Sequence, residues 1–192
     1  MGGLVGVIRL LFPLFSFCSG SLMFSLWLAR FRGRDLRSVG DGNPGAVNAI
    51  KVAGPIIGGL ALLLDFLKGA VPVAIGYWGL KLGGVPLLLT IIAPVFGHAF
   101  SPWLRCRGGK ALAVTFGVWS GVTLWEVPTF LGGMLFFSKF ILRLRDDRLS
   151  VFISLLLMLI YIGFRFRDPV LTGAALGNVL IVMFKHQMGF RR

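Results

Sequence analysis

Seven apolar runs separated by short polar or basic loops limit what this 192-residue chain can become. They cover about residues 4–29, 52–79, 84–97, 111–125, 127–142, 150–164 and 168–184. A helix needs roughly 20 apolar residues to cross the roughly 30 Å hydrocarbon layer of a bilayer. Several of these runs are shorter, which predicts short, tilted or broken helices. Proline at 72, 86, 94, 128 and 169 predicts kinks or helix ends. A soluble alternative fails on composition. The chain is 56% hydrophobic and 14% charged, against roughly a quarter charged in a soluble domain, and one core could not hide that much apolar surface. The expected fold is therefore all-α, a polytopic transmembrane helical bundle of about seven short or broken spans, built as a single domain over residues 1–192. Arg9 precedes the first run, but the apolar character continues to Ala29, which suits a first span better than a cleaved signal peptide.

The net charge of +13 is concentrated in the connecting loops. With the N-terminus outside, the inside face carries Arg30, Arg32, Arg34, Arg37, Lys51, Arg105, Arg107 and Lys110. Lys139, Arg143, Arg145, Arg148, Lys185, Arg191 and Arg192 join them, whereas the outside face holds only Lys81, Arg165 and Arg167. The positive-inside rule then places the N-terminus outside and the C-terminus in the cytoplasm. The same rule accounts for the basic clusters without nucleic acid. Cys18 and Cys106 form no metal-ligand or disulfide framework.

Two loops have the residue types that grip an anion. In the first, residues 33–51, Gly40, Gly42 and Gly45 can take positive φ and let backbone N–H groups converge. Asn43 and Asn48 add neutral donors, while Arg34, Arg37 and Lys51 add charge. The glycine spacing fits a dinucleotide fingerprint, but it follows a membrane run rather than a strand, so a phosphate cradle or a plain tight turn remain the two readings. In the second loop, Gly108-Gly109-Lys110 directly precedes an apolar helix, joining N–H groups, the positive helix end and a lysine charge. No Ser or Thr follows Lys110, which excludes a Walker A loop. Inside the second run, Asp65 and Lys68 stand i, i+3 and can neutralise one another at membrane depth; a structural ion pair outranks direct catalysis. His98 reads as a packed histidine before a catalyst. His186, beside Lys185 past the last run, can orient a substrate or simply sit at the interface.

In order along the chain, these residues resemble the bacterial acyl-phosphate:glycerol-3-phosphate acyltransferase family. The matching elements are Gly20-Ser21, Asp35-Leu36-Arg37, the loop Gly40 to Asn48, and Leu64 to Pro72. Gly97-His98, Arg107 to Lys110 and the pair Lys185-His186 complete them. The resemblance implies a multi-pass enzyme of the bacterial cytoplasmic membrane, its site facing the cytoplasm, and it implies no metal or organic cofactor. It would make lysophosphatidic acid for phospholipid synthesis from glycerol 3-phosphate and a fatty acyl phosphate, the latter supplied by a soluble partner enzyme. Gly40, Gly42, Asn43, Gly45, Asn48, Lys51, Arg37, Gly108, Gly109 and Lys110 would bind the substrate phosphates, with His186, Lys110 and Asp41 as catalytic candidates.

The chain departs from the family pattern at several points. Asp41 stands where the family usually has Ser, Val47 where it has Thr, and Lys51 where it has Arg. Ala111-Leu112-Ala113-Val114 replaces the usual Gly-Val-Ala-Thr, Gln187-Met188-Gly189 replaces Arg-Glu-Asn, and only Ser150 is available for the serine of the third basic loop. The general base is open among a substrate phosphate oxygen, His186 and Asp41. Competing readings are a catalytically degenerate paralogue that binds lipid phosphate or a partner, and, further down, a small transporter using Asp65 and Lys68 in a pore.

Overall fold

The computed structural model describes the backbone from residue 2 to 188 and side chains from residue 6 to 187. Arg191, Arg192 and Gly189, named above, lie outside the described residues. Nine α-helices follow one another among the described residues: α1 Gly2–Ser21, α2 Phe24–Phe31, α3 Ala46–Ala53, α4 Pro55–Ala74, α5 Gly84–Ala99, α6 Leu112–Thr123, α7 Glu126–Phe136, α8 Asp147–Phe166 and α9 Pro169–Met188. No strand occurs among the described residues.

Every apolar run is helical, but the runs differ in reach. Five helical segments are long and apolar enough to cross a membrane: Gly6–Phe31, Pro55–Gly79, Gly84–Leu104, Asp147–Phe166 and Pro169–Gln187. Helix α6 has 12 residues, about 18 Å at 1.5 Å per residue, short of the hydrocarbon layer. Helices α4 and α7 each continue into a wider π-type turn, Ile75–Gly79 and Phe137–Ile141, which lengthens both. Pro86, Pro128 and Pro169 fall in first turns, where a missing N–H costs nothing. Pro72 and Pro94 lie inside α4 and α5.

The helices pack α4 on α6, α1 on α5, α5 on α9 and α8 on α7 and α9. The main core holds Ile91, Val95, Trp119, Leu131, Leu155 and Met158, all fully buried. A smaller core of Met23, Leu26, Leu36, Ala46, Ala49 and Leu104 seats α3 and the loop before it. The outer wall is aliphatic and exposed, with Leu10, Leu63, Val71, Ile160 and Leu180 pointing away from the bundle. Such a wall is stable only in lipid.

Close helix approach depends on missing side chains, as is usual where lipid supplies no hydrophobic drive between helices. A Cβ on Gly117 of α6 would fall 2.0 Å from the Phe66 carbonyl oxygen of α4, and one on Gly20 of α1 would fall 2.3 Å from the Pro94 backbone of α5. Gly117→Ala is therefore expected to destabilise the protein by about 1–3 kcal/mol through overpacking. Gly59→Ala, in the same helix pair's surroundings but with open space at the Cβ, should be tolerated. Thermal unfolding of both variants in detergent checks this; equal midpoints would refute the close-packing account.

Candidate active site at the basic end of the bundle

Loop 40–48 enters α3, and loop 105–111 enters α6. Their meeting point is the salt bridge from Lys110 Nζ to Asp41 Oδ2, 2.7 Å long and partly exposed. Both glycine-rich loops therefore lie at one end of the bundle, within side-chain reach of each other. Asp41 also closes its own loop. Its Oδ1 accepts from the Asn43 backbone N–H at 3.1 Å and from Asn48 Nδ2 at 3.0 Å. Partial burial pushes the Asp41 carboxyl up, but the Lys110 ammonium and the donors from Asn43 and Asn48 outweigh it and bring the group to about 2. Asp41 is ionised at any neutral pH, and so acidic a carboxyl makes a poor general base.

The glycines divide. Gly40 and Gly42 take positive φ, +57° and +71°, as the sequence leads one to expect. Gly45 does not. It is extended at φ −115°, and a side chain there would meet the Asn43 amide at 2.9 Å, so crowding rather than handedness fixes it. Several expected N–H donors are already engaged within the protein. Gly42 N–H donates to Val39 O, Gly45 N–H to Asn43 O, and Gly109 N–H to His98 O. The buried Asn48 amide nitrogen donates to Asp41 and to Asn43 O. These groups shape the cradle; the first-turn N–H groups of Ala46, Val47 and Asn48 at the start of α3 have no intrahelical acceptor. Arg37, in the short turn Leu36–Ser38, and Lys51, in the last turn of α3, are exposed and form no ion pair among the described residues.

Gly108 and Gly109 are buried against the end of α5. A Cβ on Gly108 would come 1.9 Å from His98 O, and one on Gly109 would come 2.3 Å from His98 Nε2. The paired glycines let the loop lie flat on His98, leaving Lys110 to project. His98 itself is buried, its Nδ1 4.0 Å from Asp65 Oδ1, beneath the loop rather than in it. Below lies a polar joint. Lys68 Nζ sits 2.8 Å from Asp65 Oδ1 and donates to Leu22 O, a carbonyl freed where the chain breaks between α1 and α2. Ser25 Oγ donates to Asp65 Oδ2 at 2.7 Å, and Ser101 Oγ donates to Ser21 O at 2.7 Å.

His186, on α9, is buried with both ring nitrogens lacking a hydrogen-bond partner among the described residues. It lies within electrostatic range of Lys110, Asp41, Arg148 and Asp147. Sequence reading counted Arg148 only among the basic loop residues and did not single out Asp147; the signal was the acidic helix start Asp146-Asp147-Arg148 that brings α8 to this end. Ser150, one turn on, is buried and shares a hydrogen bond with Ser138, so it faces inward.

An all-helical membrane protein with two glycine-rich loops joined by a lysine–aspartate bridge at one end is the class this fold and site define. The chain matches the family model described as glycerol-3-phosphate acyltransferase over residues 10–192, and it belongs to that family. It is 38% identical to glycerol-3-phosphate acyltransferase 1 of Thermotoga maritima across 92% of this chain and 93% of that protein. With the glycerol-3-phosphate acyltransferase of Geobacter sulfurreducens it shares 35% identity over 90% and 87% of the two chains. The crystal structure of PlsY (YgiH), an integral membrane glycerol 3-phosphate acyltransferase, in its glycerol 3-phosphate form superposes with a TM-score of 0.85 at 27% identity, covering 94% of this chain and 88% of that one. The lysophosphatidic acid form of PlsY gives 0.83 at 25% identity over the same shares.

Proposed function

We infer that this chain is a membrane glycerol-3-phosphate acyltransferase that forms lysophosphatidic acid from glycerol 3-phosphate and a fatty acyl phosphate. The family membership supports the reaction, and the single observation that carries the site is the Lys110–Asp41 contact between two glycine-rich loops. The basic end faces the cytoplasm, in line with the loop-charge asymmetry. A soluble enzyme that makes acyl phosphate supplies the donor there.

Both substrates are anionic, and their mutual repulsion is the main barrier to approach. Lys110, Arg37, Lys51, the α3 N-terminus and the shaped glycine loops lower that barrier. Acyl transfer is direct. The glycerol hydroxyl oxygen attacks the acyl carbonyl carbon, the carbon–oxygen bond to phosphate breaks, and inorganic phosphate departs with the electron pair. The hydroxyl proton passes to a phosphate oxygen or to His186, whose ring nitrogens have no protein partner among the described residues. Asp41, held near 2, is the weakest of the three bases. The acyl tail stays among helices; the groove between α8 and α9, with Arg148 and Gln187 at its rim and Phe152, Leu180, Met183 and Phe184 along its walls, suits it. Asp65 and Lys68 hold the scaffold and do not touch substrate.

Purified protein in liposomes, given acyl phosphate and glycerol 3-phosphate, is expected to release lysophosphatidic acid and inorganic phosphate in equal amounts. The salt bridge that neutralises Lys110 favours a second reading, a phosphate-binding paralogue without turnover. Glycerol 3-phosphate binding with no product would establish that reading instead.

A further inference from the structure

We propose that Asp41 is a fixed counter-ion to Lys110 that weakens ground-state capture of the substrate phosphate and makes the site discriminate against its fully ionised form. The proposal rests on Lys110 holding substrate phosphate. The geometry prevents Asp41 from simply swinging away. Its Oδ1 is anchored by the Asn43 N–H at 3.1 Å and by Asn48 Nδ2 at 3.0 Å, which leaves Oδ2 against Lys110 at 2.7 Å. Asn48 is itself buried and donates to Asn43 O as well, so the anchor is part of the loop's fold. A phosphate arriving at Lys110 must share the ammonium with a carboxylate that stays in place. Asp41 does not escape by protonation, because its carboxyl is held at about 2.

Coulomb repulsion between unit charges about 4 Å apart in a wet site corresponds to roughly a fivefold loss of affinity per negative charge on the ligand. A phosphate monoester passes from monoanion to dianion near pH 6, going by the second ionisation of phosphorylated side chains. The penalty from Asp41 therefore grows between pH 5 and pH 8, in a range where Asp41 itself does not titrate.

Asp41→Asn tests this, since an asparagine can keep the Oδ1 acceptor for Asn43 and Asn48 and loses only the charge. Calorimetric titration of the purified full chain with glycerol 3-phosphate should give tighter binding in the variant, about fivefold at pH 5 and more at pH 8. In turnover, KM for glycerol 3-phosphate falls more than kcat changes. A pH-independent ratio, or unchanged or weaker binding by a variant with the wild-type unfolding midpoint, overturns the proposal. Asp41→Ala, which also removes the loop anchor, separates fold from charge: it lowers the unfolding midpoint, whereas Asp41→Asn does not. Wild-type protein that binds and turns over substrate while Asp41→Asn gains nothing refutes the counter-ion alone. Wild-type protein that does neither refutes the acyltransferase reading and this inference with it.

Discussion

Lys110→Ala is expected to lower acyl transfer by about a hundredfold or more while leaving the unfolding midpoint nearly unchanged. The size follows from what the ammonium faces. Loss of one preorganised donor to developing charge costs about 10²–10³ in rate, and in the proposed site this donor would carry a full charge toward two anionic substrates. The small effect on folding follows from exposure. Both partners of the Lys110–Asp41 bridge remain partly exposed, and pairs of that kind contribute about 0–1 kcal/mol. Asp41 keeps its two loop hydrogen bonds without Lys110. Its carboxyl would rise from about 2 toward its ordinary 3.8, so the small stability it confers, present above 3.8 and lost as pH falls toward 2, would shrink at neutral pH and make no difference in strong acid. Lys110→Arg keeps the charge and should retain more activity than alanine. Steady-state turnover at saturating and limiting glycerol 3-phosphate, beside a thermal melt, measures both halves. Near-normal turnover in Lys110→Ala would remove this site.

How far the sequence discloses such a molecule depends on the range of the interaction. Apolar runs are local, and all seven are helical, because lipid leaves the backbone no other way to satisfy its polar groups. The pair Asp65 and Lys68 is also local, one helical turn apart. The cradle is different. Gly42, Gly45 and Gly109 look like open donors in sequence, yet the first two close local turns onto Val39 O and Asn43 O, and Gly109 N–H reaches His98 O, which only the folded loop brings near. Gly108 and Gly109 are required by His98, ten and eleven residues earlier, and Gly20 by Pro94, more than seventy residues away. Ala111 is the inverse case. It holds φ +61° at a position where the family usually has glycine, so that departure has a conformational meaning. The left-handed backbone costs about 1–2 kcal/mol, partly offset by burying the methyl group. Residue type marked which segments matter, and tertiary contact decided which of their atoms remain for a ligand.

The largest stability effect is expected from breaking the buried ion pair on one side only. Lys68→Met leaves the Asp65 carboxyl enclosed, 2% exposed, without its cation and with a hydrogen bond donated by Ser25 Oγ. Removing one partner of a buried pair costs about 3–5 kcal/mol, because the remaining charge loses its compensation. A further loss comes from the Leu22 carbonyl, which Lys68 satisfies at the break between α1 and α2. That joint carries α2 and the small core under the first glycine loop, so the variant should lose substrate affinity as well as stability. The double variant Asp65→Asn, Lys68→Met removes both charges, and it should recover much of the unfolding midpoint in detergent, since a neutral pair of similar volume avoids the stranded carboxylate. Ser19 Oγ donates to the Lys68 carbonyl, a backbone contact that survives either substitution and keeps α1 registered on α4. Recovery in the double variant assigns the loss to uncompensated charge. If Lys68→Met melts like wild type, or the double variant is no better than the single one, the pair does not hold the α1–α2 joint to α4.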